Sequence, residues 1–316
     1  MRTLLASACA ALLCGTASLA LALAPSASAA PITSIGVTMG SLGNPYFVTL
    51  SKAVADEARK ADPSARVTSV SADYDLNKQF TQIDNFIASG VKAIIINAVD
   101  PKAILPAIKR AQAAGIVVIA ADVAAAGADA TVMTDNVKAG EISCAFLADQ
   151  IGHKGEIAIE NGPSVSSVID RVAGCKKALA ASPDIKIVSD DQNGQGSRDA
   201  GMQVMLGYLI RYPDLKGVFT INDPQAIGSD LAARQQNRQL VITSVDGAPD
   251  IVGALKSKKG SILASASQDP YKMGTLAMQT AQAIVDGKPP AEKVVLIAPQ
   301  LITRDNVGSY VGWTDH

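Results

Sequence analysis

The sequence predicts an α/β protein of two similar lobes, each a parallel sheet with helices on both faces. Three observations carry that expectation. Short β-branched runs alternate with longer runs of helical period from residue 34 almost to the end of the chain. The alternation restarts near residue 130, giving more βα units than one open sheet usually holds. No Gly/Ser-rich or Pro-rich linker separates the halves, so the connections must be short, which suggests a hinge.

Residues 1–30 stand apart from that pattern. Arg2 is the only charge, an Ala/Leu-rich stretch runs through Leu23, and Pro25-Ser26-Ala27-Ser28-Ala29-Ala30 closes the segment. A basic start, an apolar middle and an A-x-A end describe a secretory signal peptide, residues 1–29, cut after Ala29. Pro31 argues against a cut after Ala30. Cys14 follows Leu13 in the middle of the apolar run, which argues against a lipid anchor there. No later stretch is apolar and uncharged over the ~18 residues a membrane span needs, so the exported chain is expected to be soluble.

In the first lobe, residues 34–39, 65–70, 93–97 and 117–121 read as buried strands, with helices over 46–61, 76–89 and 104–114 between them. Gly90 and Gly115 follow two of those helices, where a left-handed C-cap is wanted. Pro106 lies in a first turn, where its missing N–H costs little. The second series runs strand 130–133, helix 137–151, strand 156–159, helix 168–181, strand 185–189, helix 198–212 and strand 217–220. A helix from 224, strand 241–245, helix 251–256, strand 261–266, helix 271–286 and short strands near 294 and 301 complete it.

Composition narrows the chemistry. A formal net charge of −1 argues against a nucleic-acid partner, which needs a basic face. His153 and His316 are too few and too far apart for most zinc sites or a Ser–His–acid triad. Of the four cysteines, Cys9 and Cys14 leave with the leader, so Cys144 and Cys175 remain. In an oxidising compartment they read as a disulfide, the alternative being two buried thiols on helices.

In open α/β sheets ligands bind beyond the carboxyl ends of the strands. The first such end is Gly40-Ser41-Leu42-Gly43-Asn44-Pro45-Tyr46-Phe47. Asn44 can cap the helix that opens at Pro45. Tyr46 and Phe47 are adjacent, so at least one should leave the ordinary core face of the helix. They read either as a platform for the C–H face of a sugar or as a hydrophobic staple with core contact. Other strand ends carry Asn97 and Asp100, Asp122, Asp135 and Asn136, Asn222 and Asp223, Asp246, and Gln268 and Asp269; Arg171 opens a helix. Each alone is a plausible cap or turn former. Together, fixed amides, carboxylates and one guanidinium aimed at one cleft can engage several hydroxyls.

Sharper rivals fail. Asn193-Gly194-Gln195-Gly196 resembles a dinucleotide loop, but Asp199 stands at its third glycine position. Asp190-Asp191 could suggest a secreted glycoside hydrolase, yet neighbours in a strand point to opposite faces. No catalytic residue, metal or cofactor is expected.

Gly43-Asn44-Pro45-Tyr46-Phe47, Thr134-Asp135-Asn136, Asp170-Arg171-Val172-Ala173-Gly174, Ile221-Asn222-Asp223 and Ser244-Val245-Asp246-Gly247, in that order behind a signal peptide, resemble the periplasmic sugar-binding proteins of ABC transporters. The ribose-binding-protein-like group, of type I periplasmic binding protein fold, is the nearest, and the resemblance covers residues 32–303. It implies two Rossmann-like lobes joined by a three-crossing hinge. The first lobe would take residues 32–134 plus about 269–293, the second 136–267 plus about 299–316. It implies a monosaccharide or polyol enclosed between the lobes, touched by Asn44, Tyr46, Phe47 and Asp122 from the first and Arg171, Asn222 and Asp246 from the second. Gln268 would join them at a hinge crossing. It also implies a periplasmic monomer that delivers its ligand to a membrane permease, or a signalling receptor of the same fold that serves a chemoreceptor or other membrane sensor. Departures from the ribose pattern are Val123 after Asp122, no polar side chain at Gly40 and no aromatic near Gly196, which imply a different or larger ligand. Cys175 stands where the family often has Phe, which suits a disulfide with Cys144 better than a ligand role.

Overall fold

The parallel sheets form around central strands that are buried on both faces. In the computed structural model, which describes residues 30–313, the first lobe builds β1 (Ser34–Met39), α1 (Pro45–Ala61), β2 (Arg66–Ser71), α2 (Leu76–Ala88), β3 (Ala93–Ile96), α3 (Leu105–Ala113), β4 (Val117–Ala121) and β5 (Ala130–Thr134). The expected leader and His316 lie outside the described residues. All four residues of β3 are buried, as a central strand covered by helices on both faces requires.

The second lobe follows with α4 (Asn136–Gln150), β6 (Gly155–Glu160), α5 (Ser166–Leu179), β7 (Ile185–Ser189), α6 (Arg198–Arg211), β8 (Leu215–Thr220), α7 (Asp223–Gln235), β9 (Val241–Asp246), α8 (Pro249–Ser257) and β10 (Ile262–Ser267). Then come α9 (Pro270–Val285), β11 (Val294–Ile297) and β12 (Leu301–Thr303). The strand orders are β11-β5-β4-β3-β1-β2 and β12-β10-β9-β8-β6-β7. Pairing is parallel throughout, except that β12 runs antiparallel to β10.

The chain therefore passes between sheets three times: after Thr134, between Ser267 and Pro270, and between Ile297 and Leu301. The returning segment reaches past the expected residue 293, because Val294–Ile297 pairs along β5. The tail also departs from a purely second-lobe placement. Trp313 packs into the first lobe's core with Tyr46, while its indole Nε1 donates to the Gly247 carbonyl, 2.5 Å, of the second lobe. The Ala124 N–H, after β4, donates to Ser166 Oγ at the start of α5 at 2.7 Å, so the lobes touch there. No helix among the described residues is long and apolar enough to cross a membrane.

One contact in the second lobe sets the site. A Cβ at Gly140 would lie 1.9 Å from the Arg171 carbonyl, and one at Gly174 would lie 2.0 Å from the Val137 carbonyl. Only glycine lets α4 and α5 approach this closely. A disulfide joins Cys144 of α4 to Cys175 of α5 across the same seam, with 5.0 Å between their Cα atoms. Arg171 is thus carried on a helix fixed to its neighbour by backbone contact and by a covalent bridge.

Candidate functional site

The strand ends converge on a chamber of about 50 Å³ between the lobes, lined by the eight residues the resemblance implies, Asn44, Tyr46, Phe47, Asp122, Arg171, Asn222, Asp246 and Gln268, and by Asn97, but not by Asp100, Asp135, Asn136, Asp223 or Asp269. Asn44 is the N-cap of α1 and accepts from the Tyr46 N–H at 3.0 Å. Asn222 caps α7 in the same way, accepting from the Gln225 N–H at 3.1 Å, and its Nδ2 donates to the Gly196 carbonyl at 3.0 Å. Capping and lining the chamber are therefore not alternatives for these two residues.

The aromatic pair departs from the helical expectation that one ring leaves the core. Tyr46 and Phe47 are 3% and 6% exposed, and both belong to the first lobe's apolar core. Their rings meet edge to face at 5.4 Å, and Tyr46 meets Trp313 edge to face at the same separation. The first turn of α1 is covered on a further side by the hinge and the tail, so both rings are enclosed while both border the chamber.

Asp122 follows β4 with a φ of 71°, a left-handed conformation that costs a residue with a Cβ. Its Oδ2 accepts from Asn97 Nδ2 at 2.9 Å, and Asn97 Oδ1 accepts from the Gly40 N–H at 3.2 Å. Oδ1 of Asp122 is buried with no hydrogen-bond partner among the described residues. A buried carboxylate oxygen left so costs about 1–3 kcal/mol or more, which a hydroxyl donor would relieve. Burial raises the Asp122 pKa, and the charge of Arg171 opposes that rise.

Arg171, 4% exposed, donates from Nε to Asn136 Oδ1 at 2.9 Å and from Nη1 to the Ile221 carbonyl at 2.8 Å. Nη1 also lies 3.6 Å from Asp246 Oδ1. Asp246 ends β9 at a φ of 140°, and burial pushes its carboxyl up to about 6 against the pull of Arg171. Its Oδ1 accepts from Gln268 Nε2 at 2.7 Å, and its Oδ2 from the Asp223 N–H at 3.3 Å. Asp223 accepts from Ser244, Ser265 and the Ala248 N–H, and burial, with the neighbouring Asp246 charge, raises its pKa well above the ordinary carboxylate value. The arrangement offers fixed acceptors and one cation to a neutral, hydroxyl-rich molecule.

The family described as a periplasmic binding protein domain matches residues 35–289. The chain belongs to that family. Among its relatives, the ribose import binding protein of Bacillus subtilis is 33% identical over 257 residues, covering 80% of this chain and 82% of the relative. The xylitol-binding protein of Mycolicibacterium smegmatis is 32% identical over 278 residues, covering 86% and 78%. A solved ABC transporter solute-binding protein from Mycobacterium smegmatis, with bound glycerol, superposes with a TM-score of 0.81 at 30% identity, covering 88% of this chain and 96% of that one. Another, from Burkholderia graminis in complex with D-arabinose, gives 0.82 at 26% identity, covering 90% and 99%. The two lobes and three-crossing hinge are the type I periplasmic binding protein fold, and the family is one of binding proteins.

Two aromatic residues of the cleft escaped the sequence reading. Tyr74 lies in the turn after β2 at a φ of 56° and borders the chamber, its ring packed so closely on Gly40 that a Cβ there would fall 2.9 Å from Cε1. The missing polar side chain at Gly40 thus has a physical reason: Tyr74 fills the space. The rule of looking just past each strand would have found Tyr74 had β2 been extended to Ser71. Trp313 carries no local signal, since tail packing alone brings it to the cleft.

Proposed function

We propose that this chain is an exported solute receptor that encloses a sugar or polyol between its lobes and hands it to the membrane permease of an ABC importer. The observation that carries the reading is the unpartnered Asp122 Oδ1, buried beside Arg171 and Asp246 in a chamber walled by Tyr46 and Phe47. A carboxylate oxygen with no donor, next to aromatic faces, is what a polyhydroxylated ring satisfies on both counts. The names of the relatives, ribose, xylitol and arabinose among their ligands, support the same class. Hydroxyls would donate to Asp122 and Asp246 and accept from Arg171, with Asn44, Asn222 and Gln268 completing the shell. No bond is made or broken.

Residues 1–29 would direct the chain to the periplasm and be removed there. The short crossings let the lobes part and close, and the closed face is the surface a permease would read. A thermal-shift screen over pentoses, hexoses and polyols tests the reading, because a ligand that binds only the folded state raises the Tm. At least one member should raise it by several degrees. A flat response across the panel would sink the proposal.

A further inference from the structure

Three of the segments that bring polar groups to the chamber each bring an apolar neighbour with them. Val123 follows Asp122 after β4, Val168 stands one turn before Arg171 on α5, and Ile221 precedes Asn222 after β8. Val165, the N-cap of α5, makes no side-chain capping bond and joins them. All four line the chamber, are between 1% and 6% exposed, and belong to one contiguous apolar cluster that spans both lobes.

Three backbone groups beside this corner are already engaged. The Ala124 N–H, next to Val123, donates to Ser166 Oγ at 2.7 Å, and the Val165 N–H donates to the Pro163 carbonyl at 2.8 Å. The Ile221 carbonyl accepts from Arg171 Nη1 at 2.8 Å. A ligand hydroxyl lodged against these side chains would give up its bonds to water without replacing them. A methyl or methylene group would give up nothing and gain by burial. Asp122 and Arg171 hold hydroxyls from positions adjoining the corner, so the ligand carbon next to the held ones is the carbon that meets it.

We propose that the preferred ligand is a deoxy sugar or deoxy polyol, whose carbon without a hydroxyl seats against Val123, Val165 and Val168. This rests on the sugar reading above and names the class of sugar. The test is calorimetry on the mature chain with pairs that differ by one hydroxyl. They are 5-deoxy-D-ribose and D-ribose, 6-deoxy-D-glucose and D-glucose, L-rhamnose and L-mannose, L-fucose and L-galactose, and 1-deoxyxylitol and xylitol. An apolar pocket discriminates against an added hydroxyl by up to about a hundredfold. The tightest ligand of the panel should therefore be a deoxy compound that exceeds its parent by roughly tenfold or more. Val123→Thr and Val168→Thr keep the shape of the corner and add a hydroxyl, one from each lobe. Each should shrink that ratio about fivefold, and a ratio taken within one protein is still read from a partly unfolded variant. If every parent binds as tightly as its deoxy partner, Ser167, which lines the chamber beside Val168, serves an oxygen there. The deoxy proposal then falls and the sugar reading stands. An unchanged ratio in both variants would overturn it as well. Binding by no compound of the panel overturns the proposal together with the sugar reading beneath it.

Discussion

Gln268 donates from Nε2 to Asp246 Oδ1 at 2.7 Å, while its carbonyl oxygen accepts from the Tyr46 hydroxyl at 3.2 Å and from Thr134 Oγ1 at 2.8 Å. One amide at a hinge crossing thus ties the first turn of α1 and the end of β5 to the end of β9. Removing it takes a hydrogen-bond partner from three buried polar groups, and a group left wholly unpartnered costs about 1–3 kcal/mol. Gln268→Ala should therefore lose at least roughly tenfold in ligand affinity by calorimetry. Trp313, the single tryptophan of the chain, touches Tyr46, so its emission gives a second readout. An unchanged affinity would show that this tie does not shape the closed site.

Arg171→Ala and Asp246→Ala should each lose more than roughly tenfold in affinity, since each removal leaves a buried partner of opposite charge behind. Calorimetry on the two variants checks this. Wild-type affinity in both would remove the site assignment.

Affinity should fall as pH drops through about 6. Burial raises the Asp246 carboxyl to about 6, with Arg171 opposing and Asp122 and Asp223 also near it. A protonated Asp246 no longer presents a full anion to ligand hydroxyls. Calorimetry at pH 7.5 and pH 5 should show several-fold weaker binding at the lower pH, and Asp246→Asn should bind weakly with little pH dependence. A flat profile in the unaltered protein would contradict this account.

Glu160 predicts a pH effect on stability rather than on binding. It ends β6 fully buried, and burial lifts its pKa from 4.5 to about 8, with Ser229 and Gln225 pulling it down. The folded state then keeps a proton that the unfolded chain has released between pH 4.5 and about 8. Its contribution is complete below 4.5 and is lost as pH rises through that window. Glu160→Gln should shrink the difference in Tm between pH 5 and pH 8. The same slope in the variant would place the dependence elsewhere.

Opening the Cys144–Cys175 bridge should cost about 3.7 kcal/mol, the loop-closure value for its separation of 31 residues. Calorimetric unfolding with and without reductant reads this, and the Cys144→Ser/Cys175→Ser protein should match the reduced form. Because Arg171 rides on α5, ligand affinity should also fall when the bridge is opened. A reduced protein with unchanged Tm would mean that the α4–α5 seam holds without it.

The architecture was legible because a parallel strand covered on both faces must be apolar throughout, as β3 is, and because helix caps punctuate the runs between strands. The polar residues that line the cleft were legible for a topological reason: Asp122, just past β4, and Asp246, the last residue of β9, stand at carboxyl strand ends, which face the cleft. The aromatic wall was only half legible. Helical period implied that Tyr46 and Phe47 cannot both be core, and the tail and hinge, distant in sequence, are what enclose both. Tyr74 depends on a left-handed turn that no local preference assigns to tyrosine, and Trp313 depends on where the chain before it has gone.

The three crossings also set an order in time. The first sheet lacks its edge strand until residues 294–297 exist, and the helix that packs on α1, α9, arrives only at residues 270–285. The second sheet waits for residues 301–303. A chain emerging from its N-terminus therefore cannot finish either core until nearly all of it has been made. Long-range closure of this kind is slow to form, because the entropy of ordering the intervening chain is lost before the contacts compensate. Synthesis thus leaves an interval in which the polypeptide is unfinished as a solid body and can still be threaded through a narrow pore.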